Sequence, residues 1–199
     1  MKTLKNLLLV FVLGLIPIQG LCKILIVPIK NTELITASSN GDLEKVKSLI
    51  QNGAKVNKKN NVGSTALMEA SYKGHLEIVK YLVENGAKVN KKDKKSKTAL
   101  IKTSGYGHLE VVKYLVEKGA DVNAKGSFSI TALMEASKWG RLEVVKYLVA
   151  KGADINAKDN YGNTALMDAT RKGYLEVVDF LVENGADTTI KNDDMTAMK

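Results

Sequence analysis

Residues 74–87 read GHLEIVKYLVENGA, and the same pattern returns at residues 107–120, 140–153 and 173–186. A degenerate copy occupies residues 41–54. The second glycine of each copy recurs at a constant step of 33 residues, at Gly53, Gly86, Gly119, Gly152 and Gly185. Because a fixed period of this length is the signature of stacked structural repeats, the chain is predicted to be a repeat array.

Each copy contains two short helical patterns and a polar connector. The first pattern follows a threonine, a residue whose hydroxyl accepts a hydrogen bond from a free backbone N–H at the start of a helix. These threonines are Thr65, Thr98, Thr131 and Thr164. The second pattern places Leu76, Val79 and Leu82 on one apolar face. Helices this short are marginal alone in water, so each copy is predicted to be stabilised by stacking on its neighbours.

Three motifs of the second copy resemble the ankyrin repeat: TALMEA at residues 65–70, GHLEIV at 74–79 and NGAKVN at 85–90. The resemblance runs from about Thr32 to the C-terminus. It implies an all-α, ankyrin-type solenoid of about five stacked helix-turn-helix repeats with β-hairpin-like connectors. The family's proline and histidine are replaced, for example by Ala66 and Met68. Both are strong helix formers, so the fold is expected to be retained without a polar link that the histidine usually makes.

The predicted organisation has three parts. Residues 1–22 are a signal peptide or an N-terminal anchor, residues 23–30 a linker, and residues 31–199 the ankyrin repeat domain. The predicted repeats are residues 31–62, 63–95, 96–128, 129–161 and 162–194, followed by a truncated C-terminal cap at 195–199.

The N-terminus has the features of a secretory signal: a basic start, an apolar run over residues 7–18 and a small residue at Gly20. The apolar run is shorter than the roughly 20 residues of a spanning helix. Export to the periplasm or secretion is therefore favoured, and an uncleaved membrane anchor is the alternative. Cys22 would tether the chain if lipidated, although Leu21 stands where a lipoprotein signal has a small residue. The Lys/Asn-rich composition and compact signal favour a bacterial source.

The formal net charge of +9 is unevenly distributed. Residues 23–110 carry 16 Lys/Arg against 8 Asp/Glu, a net +8, whereas residues 111–199 carry 12 against 13, a net −1. This asymmetry favours an acidic partner at the N-terminal repeats. Nucleic acid would fit the charge, but it does not fit an export signal, and the chain contains no motif of a known nucleic-acid-binding fold.

No residues form a catalytic pattern. His75 and His108 occupy equivalent positions, so their spacing reflects the repeat period and favours a structural hydrogen bond at the inter-helix turn over a metal site. Zinc-type Cys/His spacing, a phosphate-binding glycine loop and a nucleophile elbow are all missing. The chain is therefore predicted not to be an enzyme and to need no cofactor or metal.

Positions that differ between copies are free to serve a partner. At the ends of the first helices the resemblance implies a concave stripe formed by Tyr72, Lys73, Tyr106, Lys138, Trp139, Arg171 and Lys172. At the connector tips the variable residues are Lys94, Lys95, Phe128 and Tyr161. Trp and Tyr often dominate binding energy at interfaces. For Trp139 the alternative is that it packs on the neighbouring repeat as a core residue.

The predicted function is a non-enzymatic scaffold that binds a protein partner through the concave face and the connector tips, outside the cytoplasm. The alternative is a basic surface module that associates with a membrane surface or another polyanion through Lys91–Lys97. A solvated loop is the more usual explanation of such a charge run.

Overall fold

A computed structural model describes residues 30–192 as five consecutive helix pairs. The predicted signal peptide, nearly all of the predicted linker and the predicted cap lie outside the described residues. The pairs are α1 (30–40) with α2 (Leu43–Gln51), α3 (Ala66–Lys73) with α4 (Leu76–Glu84), α5 (Ala99–Tyr106) with α6 (Leu109–Glu117), α7 (Ala132–Lys138) with α8 (Leu142–Ala150), and α9 (Ala165–Lys172) with α10 (Leu175–Glu183). The predicted all-α array of about five repeats is confirmed.

The helices begin and end where the sequence signals predict. Thr65 Oγ1 accepts from the backbone N–H of Met68 at 3.4 Å, and the threonines before α5, α7 and α9 cap in the same way. Helix α3 ends at Gly74, whose φ of 79° lies in the left-handed region that favours glycine. The second helix of that repeat closes at Gly86, with a φ of 84°.

The core is a continuous apolar layer that passes through every repeat. Leu82, Leu115, Leu148 and Leu181 hold the same position in successive second helices, and all four are completely buried. Successive first helices contact one another more extensively than successive second helices do. Stability therefore comes from stacking between repeats, as predicted for helices too short to persist alone.

The connectors form hairpin-like tips, although residues 30–192 contain no strand. In the second connector, Asp93 N donates to Lys97 O at 3.0 Å and Ser96 N donates to Asp93 O at 3.1 Å. Single backbone hydrogen bonds then join neighbouring tips, such as the one from Ser127 N to Lys95 O at 2.9 Å. The tips therefore form a linked row along one side of the stack.

A ladder of asparagine side chains joins the repeats at the other end of each connector. Asn90 Nδ2 donates to Gly119 O at 2.8 Å, and Asn90 Oδ1 accepts from Asp121 N at 2.9 Å. The same pair of bonds is made by Asn57, Asn123 and Asn156. In the first repeat, Asn31 of α1 makes a similar contact, because its Oδ1 accepts from Lys55 N at 2.7 Å.

The two histidines make the predicted structural contact. His75 Nε2 lies 3.1 Å from Ser39 O, and His108 Nε2 lies 3.1 Å from Tyr72 O. Because a carbonyl oxygen can only accept, Nε2 carries the proton in both rings. In the next repeat Arg141 Nε donates to Gly105 O at 3.1 Å. The same link between repeats is thus made by two different side chains.

Candidate interaction surface

A groove of about 750 Å³ lies between the first helices of the second to fourth repeats and the adjacent connector tips. Six residues predicted from the sequence line it: Tyr72, Lys94, Lys95, Tyr106, Lys138 and Trp139. The remaining lining residues are Asn61, Val62, Asp93, Lys97, Ile101, Lys102 and Glu135. We call this surface the central groove.

The aromatic part of the central groove is partly exposed. The rings of Tyr72 and Tyr106 meet edge to face, with centroids 4.3 Å apart. A side-chain hydrogen bond with Tyr72, together with partial burial, raises the pKa of Tyr106. Tyr106 and Trp139 are each 50% exposed, so the alternative that Trp139 is a core residue is wrong. Both side chains keep half of their surface available to a ligand.

Gly105 creates the space in which Trp139 lies. A Cβ at residue 105 would stand 3.1 Å from Trp139 Cδ1 and 3.4 Å from Glu135 Oε2. Gly105 is the only glycine inside a helix among residues 30–192, and glycine at such a position costs about 0.5–1 kcal/mol relative to alanine. The equivalent residue of the preceding repeat is Tyr72, one wall of the groove.

Three ion pairs, made by two lysines, form the polar floor. Lys102 Nζ lies 3.1 Å from Asp93 Oδ2 and 3.8 Å from Glu69 Oε1. Lys97 Nζ lies 2.5 Å from Glu135 Oε1. The three carboxylates are largely buried, and their pairing offsets the cost of removing them from water. The floor is therefore held together by ion pairs and sets two lysines against three carboxylates.

Five of the predicted residues lie outside the central groove. Phe128 and Tyr161 stack at neighbouring tips, with ring centroids 5.9 Å apart, and each is 55% exposed. Lys73 Nζ lies 5.3 Å from the centroid of the Tyr72 ring. Arg171 forms an ion pair with Asp168. Lys172 is exposed at the end of α9.

Burial raises the pKa of Asp168, while Arg171 and Lys138 partly offset that rise. Asp168 is thus a largely buried carboxylate whose partner is Arg171 of the same helix. The predicted concave stripe therefore has two parts. Its central part forms the groove, whereas Arg171 at its end is held in an ion pair with Asp168 of the same helix.

A family model described as ankyrin repeats (3 copies) matches residues 34–126 and residues 125–192. These matches cover most of the chain. The chain belongs to the ankyrin repeat family. Individual curated proteins gave no match. Ankyrin repeats generally mediate protein–protein interactions and typically are not enzymes.

Within this ankyrin array the basic run Lys91–Lys97 is partly committed to the fold. Lys91 Nζ donates to Asn57 O at 3.0 Å, and Lys92 Nζ donates to Lys125 O at 2.9 Å. Lys97 forms the ion pair already described. The run therefore presents Lys94 and Lys95 as its least constrained ammonium groups, and both line the central groove.

Sequence reasoning missed the polar floor. Equivalent positions of helices α3, α5, α7 and α9 hold Glu69, Lys102, Glu135 and Asp168, so one lysine stands among three carboxylates. Only a comparison of that column between copies would have shown this lysine. The contribution of Gly105 could have been found because a glycine interrupts an otherwise helical segment.

Between residues 30 and 192 no group of three or more His, Cys, Asp or Glu side chains could hold a metal ion. No helix in the same range is long and apolar enough to cross a membrane.

Proposed function

We propose that this ankyrin repeat protein is a non-enzymatic module that binds a protein partner through its concave face, with the central groove as the main site and the connector tips as its border. The observation that carries the proposal is the convergence of Tyr72, Tyr106 and Trp139 with exposed lysines in one groove. Aromatic side chains supply much of the binding energy in protein interfaces. A preformed groove on stacked repeats also loses little entropy on binding.

We further propose that the protein acts outside the cytoplasm. The support is the pattern of residues 1–22, a basic start followed by a short apolar run. Retention of residues 1–22 as a membrane anchor, or a lipid on Cys22, would keep the module at a membrane instead. The intact mass of the protein recovered from its producing cells distinguishes cleavage, retention and lipidation.

The alternative function is electrostatic association with a membrane surface or another polyanion through Lys91–Lys97. It is weakened because Lys91, Lys92 and Lys97 already donate to protein acceptors. Salt separates the two proposals. Exposed charges are screened beyond about 10 Å at 0.1 M salt, so polyanion binding would disappear at high salt, whereas binding anchored by aromatic rings would persist.

The test is a crosslinked pull-down from the producing cells with three forms of the full chain: wild type, Tyr106→Ala/Trp139→Ala, and Leu175→Ala/Val182→Ala. Leu175 and Val182 are the matched control because they are also exposed apolar residues, but they lie outside the groove. The proposal expects one protein captured by the wild type and the control and lost from the groove variant. Equal capture by all three forms would contradict it.

A further inference from the structure

The lysines of the central groove divide into two sets. Lys97 and Lys102 are paired with the carboxylates of the floor. The other three have no carboxylate oxygen within 4 Å among the described residues, and they are Lys94, Lys95 and Lys138. Lys138 lies close enough to Asp168 to affect its pKa without forming an ion pair. The groove therefore offers three ammonium groups for an anionic ligand.

These three lysines reach the groove from separate elements. Lys94 and Lys95 belong to a connector tip, whereas Lys138 is in the last turn of α7, next to Trp139. The backbone of the tip is held in place, because Lys94 N donates to Val62 O at 3.2 Å and Lys95 N donates to Asp93 Oδ1 at 2.8 Å. The positive charge is therefore presented from a fixed frame.

The apolar surface of the groove lies beside these three lysines. Tyr106 and Trp139 each expose half of their surface, and Val62, on the tip next to that of Lys94, is 61% exposed. Burying such side chains against a ligand contributes about 25 cal/mol for each Å² of apolar surface removed from water. A ligand that contacts only the lysines would leave this apolar surface exposed to water.

We propose that the central groove binds an extended, acidic polypeptide segment. Its carboxylates would meet Lys94, Lys95 and Lys138, while one aromatic or aliphatic side chain lies against Tyr106 and Trp139. This inference rests on the proposed function and names the chemistry of the partner. The volume lies within the range of about 300–1,000 Å³ of ligand clefts, so the groove accommodates part of a segment and not a folded domain.

A single-stranded nucleic acid is the main competitor, because aromatic rings and lysines in one groove also suit stacked bases and phosphates. The floor argues against it. Asp93 and Glu135 are held in the groove with side-chain exposures of 8% and 12%, and a continuous row of phosphates would pass close to them. A peptide can place neutral residues over these carboxylates and acidic residues over the free lysines.

The test begins with a displayed library of random 12-residue peptides selected on the immobilised full chain. The proposal expects enrichment of peptides that combine several Asp or Glu residues with an aromatic or aliphatic residue. Trp139 then reports binding directly, since it is the only tryptophan of the chain. Saturation with an enriched peptide should shift its emission to shorter wavelength as the indole loses contact with water.

Two triple variants complete the experiment. Lys94→Glu/Lys95→Glu/Lys138→Glu should weaken peptide binding by about tenfold or more, because charge pairs across an interface are replaced by repulsion. Lys55→Glu/Lys58→Glu/Lys88→Glu makes the same change of charge at exposed lysines outside the groove, so it should weaken binding by less than about threefold. Circular dichroism confirms that both variants are folded.

The inference is overturned if no peptide is enriched, if the enriched peptides lack acidic residues, or if both triple variants bind alike. It is also overturned if an oligothymidylate probe binds as tightly as the best peptide and shifts Trp139 emission equally. Selection of neutral peptides that still require Trp139 would reject the acidic partner and leave the proposed protein-binding function intact. Loss of partner capture in the pull-down remains the separate test of that function.

Discussion

Gly105 and Trp139 lie against each other on successive repeats. This contact suggests that glycine at residue 105 lowers the stability of α5 but leaves room for the indole in the groove. Alanine at residue 105 would improve helix propensity, but its Cβ would stand 3.1 Å from Trp139 Cδ1. Trp139 is half exposed and can move away. We expect Gly105→Ala to raise the free energy of unfolding by up to about 1 kcal/mol while changing Trp139 emission and weakening partner binding.

Urea unfolding and fluorescence of the same samples measure both effects. A suitable control is Ser104→Ala, the preceding residue of α5, whose buried hydroxyl donates to Leu100 O. Unchanged Trp139 emission together with unchanged partner binding in Gly105→Ala would show that Gly105 does not create the space for the indole, whereas a loss of stability would contradict the expected gain from helix propensity.

Gly74 illustrates a second residue-scale constraint, the close approach of one repeat to the next. Its φ is 79°, and a Cβ would stand 2.5 Å from His108 Nδ1. Gly173 holds the same position in the last pair with a φ of 74°, yet a Cβ there would meet nothing within 4 Å. Both substitutions to alanine share the backbone strain of about 1–2 kcal/mol, and only Gly74→Ala adds the contact with His108.

We therefore expect Gly74→Ala to destabilise the fold by about 1–2 kcal/mol more than Gly173→Ala, because overpacking adds a cost of that size. The difference between their urea unfolding free energies is the measurement. Equal losses would mean that the inter-repeat contact at His108 relaxes without cost.

At the scale of elements, the asparagine ladder joins neighbouring connectors. Asn90→Ala would leave Gly119 O and Asp121 N without the bonds that the side chain now makes. Since leaving a polar group unsatisfied costs about 1–3 kcal/mol when buried and less when exposed, we expect a loss of about 1–2 kcal/mol. Asn61→Ala, at an exposed tip, should stay within about 0.5 kcal/mol of wild type. Equal thermal unfolding of the two variants would refute the ladder's contribution.

The helices were predictable from the sequence, whereas one connector was not. The threonine caps, the apolar periodicity and the closing glycines each act within a few residues, so the helices from Ala66 to Glu183 were predictable from local rules. The connector at residues 126–130 was not. Gly126 stands where Asp93 and Asp159 use a carboxylate to bind the turn, and Phe128 there adopts a φ of 58°. The missing side-chain acceptor can be read by comparing the copies, but its effect on the backbone at Phe128 is visible only in three dimensions.

At the scale of the whole molecule, the repeats differ in how much of their surface a neighbouring repeat covers. Leu175 is 71% exposed, whereas its counterparts Leu76, Leu109 and Leu142 are partly buried because another repeat follows each of them. In stacked repeats, stability is approximately a sum of repeat and interface contributions. The last described pair therefore has one such interface where the central pairs have two.

This asymmetry predicts where the array opens first. Leu115→Ala and Leu181→Ala remove the same completely buried side chain from a central and from the last described pair. Each should cost about 2–5 kcal/mol locally. Hydrogen exchange should show faster exchange over the whole array for Leu115→Ala, but only over α9 and α10 for Leu181→Ala. Uniform acceleration in both variants would indicate one all-or-none unit.

The site was predictable only in part. Internal comparison identified Tyr72, Tyr106, Lys138 and Trp139 as variable positions, and the groove does bring them together. It did not separate them from Arg171, although the three-residue spacing from Asp168 on one helix favours an ion pair. Nor could it show that Lys97 and Lys102 are already paired, since their partners Glu135 and Asp93 come from other elements.

The most direct test of the central groove as a protein-binding site is photo-crosslinking in the producing cells. A photo-reactive phenylalanine derivative would replace Tyr106 in one form and Leu175 in another, two exposed apolar positions inside and outside the groove. The account predicts a discrete protein adduct from the derivative at Tyr106 and none from the derivative at Leu175. An adduct from Leu175 alone, or none from either position, would contradict it.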